Sequence, residues 1–572
     1  MPVQNSEIED IFNKLADLLD IEGANPFRVR AYRNAARTVS DLPGNISEMV
    51  EKGRDLSEIP GIGKDLAEKI REIVETGTLS QLEEMESKTP PGLNQLLKID
   101  GLGPRRVQAL NRELGITSLE ELKEAADKGK IRNLEGFGNK TEQSILESIR
   151  RNQGREERIR LADAEKQAEP FTAWLKESSG VKKIAIAGSY RRRKETVGDL
   201  DILVTCKKDS NVMKRFVEYE DVRKVVSQGK SRSTVILRSG LHVDLCVVPQ
   251  VSYGAALHYF TGSKSHNIAL RKLGVDRGLK INEYGIFQGK KRIAGKTENE
   301  FYAAMDMSYI EPEIRENQGE IEAARNNTLP ELVKNSDILG DLHCHTRRTD
   351  GRHSLEEMAG AAQKLGYKYL AVTEHSKRVS MARGLDAGGL WEQIKEIDRL
   401  NEKFDDFTLL KGIEADILKD GSLDLPDDIL KQLDIVVCSV HYHRNLPQKQ
   451  QTERIIRAMD NRCFNILGHP TGRLINKREP YKVDLEKIMN AAAQRGCFLE
   501  LNAHPDRLDI ADRYCRMARE MNVRVAVSTD AHSSHELEYM RLGIDQARRG
   551  WLGPRDIINT RNVEDLRQIL KR

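Results

Sequence analysis

The sequence predicts a multidomain α+β protein with a helical N-terminal part, a central mixed sheet and a C-terminal parallel α/β barrel. Three observations support this: glycine-marked helical repeats up to residue 150, acidic strands between residues 160 and 312, and strand–helix alternation beyond residue 337. At about 150 residues per domain, 572 residues predict roughly four domains. Hydrophobic residues make up 38% and charged residues 32%, which is typical of a folded globular protein.

Composition excludes several other classes of protein. The sequence has no run of 18 apolar residues and no basic segment followed by an apolar one at its start, so we expect no membrane span and no secretory signal. Its 7 cysteines are scattered without a CxxC pair, which favours the reducing cytoplasm. The net charge of +3 taken alone argues against a nucleic-acid partner, so any DNA-binding charge must be local.

The N-terminal part repeats one glycine pattern three times, at 59–64, 99–104 and 134–139. Two glycines allow a tight turn into a helix N-terminus, where free N–H groups can hold a phosphate. Three such units predict helix-hairpin-helix modules that bind the DNA backbone without reading sequence. The expected DNA-binding glycines are Gly61, Gly63, Gly101, Gly103, Gly136 and Gly138. Segment 26–37 adds four arginines and no acid, which favours a phosphate-binding face.

The central part carries three aspartates on predicted strands. Asp199 and Asp201 lie on one face because residues i and i+2 of a strand point the same way, and Asp244 lies on a later strand. Adjacent carboxylates favour a bound cation, and three of them suit two Mg²⁺ ions. Two metals about 4 Å apart would activate a hydroxyl and stabilise a leaving pyrophosphate. The basic run at 181–194 would supply charge for a triphosphate.

Four segments, GSYRRRKETVGDLDI, VDLCVVP, ALHYFTGSKSHNIALR and INEYGIF, resemble the palm and thumb of family X DNA polymerases, the group that contains DNA polymerase beta. The resemblance implies that the three aspartates are catalytic metal ligands and that Asp244 helps to deprotonate the primer 3′-OH. It also implies nucleotide or template contacts at Gly188, Ser189, Arg192, Gly198, Tyr259, Phe260, Gly262, Lys264, Asn267 and Arg271. Two positions depart from the family pattern. His242 replaces an arginine, and Lys264 replaces an acidic residue and is expected to strengthen dNTP binding.

The resemblance extends to an N-terminal lyase helix, in which Lys69 aligns with the family's Schiff-base lysine. Arg28 and Tyr32 match contacts to a 5′-phosphate, whereas Asp65 stands at a usually basic position. A lysine attacks an abasic sugar only when it is neutral. Two roles therefore stay open for Lys69: a lyase nucleophile or a contact to the DNA backbone.

Beyond residue 337, apolar runs repeatedly end in a metal-binding side chain, and 10 of the 13 histidines fall in this part. Strands that alternate with helices and carry functional groups at their C-terminal ends predict a parallel α/β barrel. Carboxylates beside imidazoles suit Mn²⁺, Zn²⁺ or Fe²⁺.

This part resembles the PHP (polymerase and histidinol phosphatase) domain, a distorted, TIM-like barrel of seven strands. The resemblance implies up to three Mn²⁺ or Zn²⁺ ions held by nine residues: His343, His345, Asp350, His375, Glu414, His441, His469, Asp530 and His532. Glu374 replaces the usual aspartate before His375. His353, His443, His504 and His535 receive no role.

We expect an N-terminal lyase-like domain (1–90), a fingers-like helical domain (91–155), a palm (156–250), a thumb (251–312), a linker (313–336) and a PHP domain (337–572). The predicted protein is a cytoplasmic, monomeric bacterial or archaeal family X polymerase that uses dNTPs and two palm Mg²⁺ ions on gapped or nicked DNA. It would fill short gaps in base-excision repair, and its PHP domain would be a Mn²⁺-dependent 3′–5′ exonuclease that also incises abasic sites. Two alternatives stay open: a template-independent nucleotidyltransferase with a separate phosphatase domain, and a DNA-binding scaffold.

Overall fold

A computed structural model describes residues 5–40, 42, 46–51, 53–59, 61–88, 93–96, 99, 102–134, 136–139, 141–146, 149 and 158–571. The chain divides into two compact units, Met1–Glu156 and Glu157–Arg572. None of the described helices is both long and apolar enough to cross a membrane.

The first unit is helical. Its helices are α1 (Asn5–Ile21), α2 (Pro26–Ser40), α3 (Ile46–Glu51), α4 (Lys64–Thr76), α5 (Ser80–Lys88), α6 (Leu93–Leu96), α7 (Pro104–Leu114) and α8 (Leu119–Asp127), with 3-10 turns at Leu56–Glu58 and Ile131–Asn133. Two apolar cores hold them, one around Phe12 and Ile70 and the other around Val107 and Leu122.

Glycines begin two of these helices, as the repeats predict. Gly63 is the N-cap of α4 and Gly103 the N-cap of α7, and neither provides a side-chain hydrogen bond to its helix. The first N–H groups of each helix are therefore left for an outside acceptor. Gly61 and Gly136 have φ values of 91° and 80°, a left-handed conformation that glycine adopts without strain.

The second unit begins with a five-stranded mixed sheet. Its strand order is β2-β4-β7-β6-β5, in which β4 and β7 are parallel and the other neighbours antiparallel. The elements are β1 (Ile159–Arg160), α9 (Leu161–Lys176), β2 (Val181–Ile186), α10 (Gly188–Arg191), β3 (Thr196–Val197), β4 (Asp199–Cys206), α11 (Val212–Val217), β5 (Val222–Gln228), β6 (Arg232–Leu237) and β7 (His242–Val247). Short β1 pairs with β3.

A small α/β region follows the sheet. It comprises α12 (Tyr253–Thr261), α13 (Lys264–Asp276), an antiparallel sheet of β8 (Leu279–Asn282), β9 (Gly285–Gln288) and β10 (Lys291–Ala294), and α14 (Glu298–Ala303). Short 3-10 turns are at Gln250–Ser252 and Pro312–Ile314.

The segment at 313–336, expected to be a linker, is folded. It contains α15 (Glu320–Arg325) and a 3-10 turn that begins at Asn335. Ala324 and Leu332 join the apolar core of the preceding region, and that core also includes Trp551 from the barrel. The segment therefore packs against both neighbouring regions. The stretch is too short for its hydrophobic spacing to indicate this packing.

The C-terminal part is a seven-stranded parallel barrel, as predicted. Its strands pair in chain order: β11 (Gly340–Asp341), β12 (Tyr369–Val372), β13 (Thr408–Asp416), β14 (Ile435–Ser439), β15 (Ile466–Leu467), β16 (Phe498–Asn502) and β17 (Val525–Ser528). Its helices are α16 (Leu355–Lys364), α17 (Ala387–Asn401), α18 (Asp427–Leu430), α19 (Gln448–Ala458), α20 (Leu485–Arg495), α21 (Asp512–Glu520), α22 (Met540–Arg549) and α23 (Val563–Leu570), and 3-10 turns lie at Ser380–Ala382, Ser534–Tyr539, Pro554–Asp556 and Ile558–Thr560.

A buried asparagine joins the first and last barrel strands. The Asn559 side-chain amide donates to the carbonyls of Gly340 (2.8 Å) and Val527 (2.9 Å), and the backbone carbonyl of Asn559 accepts from the Leu339 N–H. Near the strand ends, the His345 N–H donates to the Ala531 carbonyl at 2.8 Å. The barrel is thus nearly closed, and its C-terminal strand ends surround one point.

Candidate active sites

Three aspartates meet at one edge of the mixed sheet. Asp201 on β4 is directly opposite Asp244 on β7 in the parallel register, and Asp199 precedes Asp201 on the same face. Burial, together with the charges of Asp199 and Asp244, raises the pKa of Asp201 to about 7. Three half-buried carboxylates that repel one another in this way are a donor set that fits divalent cations.

Gly188 lets the loop after β2 approach this site closely. A Cβ at Gly188 would lie 2.5 Å from Oδ2 of Asp201, and the residue has a φ of 62°. A larger residue would be strained and would collide with the carboxylate. Ser189 follows in the short helix α10.

Asp244 has two partners on the neighbouring strand β6. The Arg232 guanidinium lies 2.7 Å from Oδ2, and the Thr234 hydroxyl donates to Oδ1 at 2.5 Å. In the sequence, His242 replaces the arginine that the family carries near these carboxylates. An arginine does contact the carboxylate, but it comes from another strand.

The basic run at 181–194 does not form one cluster. Arg191 makes a bidentate pair with Glu298 (2.8 and 2.6 Å), and Arg193 contacts Asp545 on the barrel. Arg192 donates to the Thr261 carbonyl at the end of α12 and pairs with Glu316 at 3.1 Å. All three arginines are therefore held by carboxylates of other regions. The expectation that the whole run serves a triphosphate is wrong for Arg191 and Arg193, and the triphosphate contact of Arg192 stays a prediction.

The residues predicted to surround the nucleotide lie together along α12 and α13. The Asn267 amide donates to the Tyr259 carbonyl at 2.7 Å, and Arg271 lies 6.0 Å over the Tyr259 ring. Phe260 meets Tyr259 edge to face at 5.4 Å between ring centroids. A Cβ on Gly262 would lie 3.2 Å from the Arg192 guanidinium, so this glycine allows a close approach. Lys264 is exposed at the start of α13.

All nine predicted barrel ligands converge at the C-terminal strand ends. Among the described residues they form three groups whose ligand atoms lie within 4.8 Å of one another. The groups are His343–His345–Asp530, His375–Glu414–His441 and His345–Asp350–His375–His532. The ninth residue, His469, lies 3.0 Å from Glu414. Two histidines are shared between groups, so the geometry suits a cluster of cations.

The charges of these side chains are strongly coupled. Burial disfavours protonation of His375, but the Glu414 and Asp350 carboxylates outweigh it and raise its pKa to about 10. His345, in contrast, is buried beside His532 and His375, and its pKa falls to about 3. Protons thus occupy positions that a cation would take, and cation binding would release them.

Models of known protein families match the regions that contain both sites. Models of a helix-hairpin-helix domain and a SAM-like helix-hairpin-helix tandem match residues 3–79 and 93–151. The DNA polymerase beta palm and thumb match 158–245 and 256–316, and the PHP domain matches 341–504. The DNA polymerase/3′-5′ exonuclease PolX of Bacillus subtilis (strain 168) is 37% identical over 100% of both chains. The chain belongs to the family X DNA polymerases with a PHP domain.

Other relatives match a smaller share of the chain. A probable phosphatase of Thermoanaerobacter sp. (strain X514) is 30% identical over 40% of this chain and 94% of its own length. A probable phosphatase of Acetivibrio thermocellus is 29% identical over 34% of this chain and 80% of its own.

Sequence reasoning missed the carboxylates that orient the PHP ligands. Glu500 lies 2.7 Å from Nδ1 of His343 and accepts the His469 N–H at 2.6 Å. Asp416 lies 3.3 Å from Nδ1 of His441. Burial raises the pKa of Asp341 to about 6, and its carboxylate accepts the Thr529 N–H at 3.1 Å. An acidic residue between leucines on β16 was the available signal for Glu500.

Glu374, which departs from the family pattern, lies behind the ligands. It is buried, and its carboxylate accepts the Thr346 N–H at 3.0 Å and the hydroxyls of Thr346 and Thr349. It therefore braces the loop between His345 and Asp350.

The four unassigned histidines have other surroundings. His353 accepts the Ser534 N–H at 3.1 Å and meets His535 edge to face. His504 accepts the Asp506 N–H at 3.2 Å. His443 is exposed beside His441.

The predicted lyase residues differ in accessibility. Lys69 forms an ion pair with Asp65, and its side chain is 18% exposed. Tyr32 is predicted to contact a 5′-phosphate. Its side chain is only 2% exposed, and its hydroxyl donates to Gln81 at 2.8 Å, so it is not accessible to that phosphate. The Tyr32 ring packs against Phe12, which explains why Tyr32 is buried. Arg28 is exposed. Gly138 is among the described residues, whereas Gly101 lies outside them.

Proposed function

We propose that this chain is a DNA-directed DNA polymerase that fills short gaps during base-excision repair and trims 3′ ends at its PHP domain. The observation that carries the proposal is the presence of two complete donor sets in one chain, together with the full-length match to a polymerase/exonuclease. Gapped or nicked DNA and dNTPs would be its substrates. We further propose that it acts as a monomer in the cytoplasm.

In the palm, Asp199, Asp201 and Asp244 would hold two Mg²⁺ ions, which would lower the pKa of the primer 3′-OH and offset charge on the pyrophosphate. Ser189 and Arg192 would hold the triphosphate, Tyr259 and Phe260 would line the sugar, and Asn267 and Arg271 would contact base and template. Gly188 and Gly198 would leave room for the phosphates. Asp244 would receive the primer proton.

In the PHP domain, the nine ligands would hold up to three ions, Mn²⁺ or Zn²⁺, which would supply hydroxide at neutral pH. His343, His345 and Asp530 are buried on one side, whereas Asp350 and His532 are about one-third exposed, so substrate would enter from that side. We also propose incision at abasic sites. Lys69 would act either as a lyase nucleophile or as a backbone contact.

The test is a time course on a gapped duplex whose primer is labelled at its 5′ end, run separately in Mg²⁺ and Mn²⁺. We expect extension to the end of the gap when dNTPs are present, and shortening of the primer in Mn²⁺ when they are absent. A primer that grows equally without a template strand would instead support a template-independent transferase. Absence of both activities in every metal would be expected only if the chain were a scaffold.

A further inference from the structure

A groove of about 1080 Å³ opens beside the PHP ligands. It begins at His441 and is walled by the loop after it and by the hairpin loop at 472–482. Its volume lies just above the ~300–1,000 Å³ usual for sites that enclose one small molecule. The groove therefore has room for more than a phosphate monoester.

Its charge is positive. The ionisable residues Arg444, Arg478 and Lys482 line it against one acid, Glu479. Among the residues that the structure describes, none of these three cations has an ion-pair partner. The arginines where palm and barrel meet differ: Arg473, for example, pairs with Glu195 at 2.6 Å. Unpaired cations along one wall of a groove indicate an anionic ligand.

The groove wall is built to hold these cations. Arg478 donates twice to the Gly472 carbonyl (3.0 and 2.8 Å), and its burial and the nearby charges of Arg444 and Arg507 lower its pKa. The Tyr481 ring packs against Gly472, where a Cβ would lie 2.8 Å from the ring. Two like charges are therefore held close together, and the Asp509 carboxylate offsets them only in part.

The groove is also tied to the metal ligands. The wall residue Gly472 donates its N–H to Asp509 at 2.8 Å and to the His469 carbonyl at 2.9 Å. His469 is one of the nine PHP ligands, and His441 is another. An anion in the groove would thus lie next to the cations.

We propose that this groove binds the phosphodiester backbone of a single-stranded DNA 3′ end and guides its last linkage to the PHP ligands. The inference rests on the proposed nuclease function. A positive groove that follows the backbone is the usual way in which proteins bind single strands without sequence preference. Neutralised phosphates also release counterions, so binding is salt-dependent.

The test uses the full-length double variant Arg444→Ala/Lys482→Ala, with Lys477→Ala as control because Lys477 is on the same loop but pairs with Asp506. The substrates are a 5′-labelled oligothymidylate and the p-nitrophenyl ester of thymidine 5′-monophosphate, both in Mn²⁺. We expect KM for the oligonucleotide to rise about tenfold and its salt slope to fall by about 1.4, since each contact contributes roughly 0.7. The small ester should be hydrolysed within about twofold of the wild-type rate.

Equal losses on both substrates would overturn the proposal, because they would mean damage to the metal ligands or the fold. Unchanged KM for the oligonucleotide, or equal degradation of a blunt duplex, would overturn it as well. A second measurement distinguishes failure of the groove proposal from failure of the proposed nuclease function. An oligothymidylate ending in 4-thiothymidine is photocrosslinked to the full-length protein, and the attached peptides are mapped. Attachment within 441–447 or 478–482 supports the groove even if no hydrolysis occurs, whereas attachment elsewhere overturns it.

Discussion

The palm and the PHP domain hold their metal-binding side chains in different ways. The three palm aspartates are all half-buried, and only Asp244 has partners from a neighbouring strand. The PHP ligands contact one another, as in the 2.6 Å pair of His375 and Glu414, and buried carboxylates orient them from behind.

The protein alone therefore forms much more of the PHP site than of the palm site. Histidine and carboxylate ligands that are locked by a second layer are preorganised for resident metals. The open palm site instead has mutually repelling carboxylates, so cations arriving with the nucleotide would complete it. We therefore expect substitutions behind the ligands to matter more in the PHP domain than in the palm.

The largest effect should be the loss of one activity while the other is retained. Asp201→Asn removes a carboxylate from the palm set, so nucleotide addition should fall by about 10³-fold or more, because metal ions supply several kcal/mol of stabilisation. Exonuclease activity should stay within about twofold, because its ligands lie on another sheet. His343→Ala should do the reverse. Primer extension and single-strand degradation are measured on the same preparations.

The control is Asp209→Asn, which removes an exposed carboxylate just beyond the same strand. It should change neither activity. Primer extension by the Asp201 variant at near wild-type rate would contradict the assignment of the palm carboxylates.

Much of this arrangement could be predicted from local pattern. Strand alternation predicted that Asp199 and Asp201 share a face, and strand ends bearing histidine predicted the barrel, whose seven parallel strands are confirmed. These signals are local because a strand has a two-residue period and parallel strands end at one edge. The roles of the individual ligands stay predictions.

Pairings between distant segments could not be predicted. Arg191, Arg192 and Arg193 are consecutive, yet they reach Glu298, Glu316 and Asp545. Successive side chains of a helical turn point in different directions, and Arg193 has a φ of 55°, which turns it further. Only the tertiary fold determines which carboxylate each one meets. Arg232 beside Asp244 is a similar case, since the register of β6 against β7 sets it.

A second, smaller effect should come from the layer behind the PHP ligands. Glu500→Gln keeps the size of the side chain but removes the charge that faces His343, so Mn²⁺ affinity should fall about 10- to 100-fold. The half-saturating Mn²⁺ concentration for exonuclease activity measures this. Glu402→Gln, on the exposed surface of the barrel, is the control. An unchanged Mn²⁺ requirement would mean that the second layer is dispensable.

In the palm, removing the side chain that contacts a metal-binding carboxylate should reduce activity less. Arg232 is 60% exposed, so solvent partly screens its pair with Asp244. Arg232→Ala should therefore lower kcat for nucleotide addition about tenfold, which corresponds to the lower end of the free energy of a hydrogen bond to a charged group. Its neighbour Lys230→Ala should have no effect. Arg232→Lys should restore part of the rate if charge beside Asp244 is what matters. A loss of about 100-fold in the Arg232 variant, the upper end expected at Glu500, would contradict the difference described between the two sites.

The smallest expected effect is at Lys264, which is exposed at the start of α13. An exposed charge contributes about 0.5–1 kcal/mol, so Lys264→Ala should weaken dNTP binding about two- to fivefold while leaving exonuclease activity intact. Exposed charges are also screened, so the difference should shrink as salt is raised, unlike the effect of Glu500 inside the barrel. Lys280→Ala, an exposed cation on β8, is the matched control. Unchanged dNTP affinity in the Lys264 variant at low salt would show that this lysine does not face the nucleotide, and the open side of the palm would then depend on Arg192 for its positive charge.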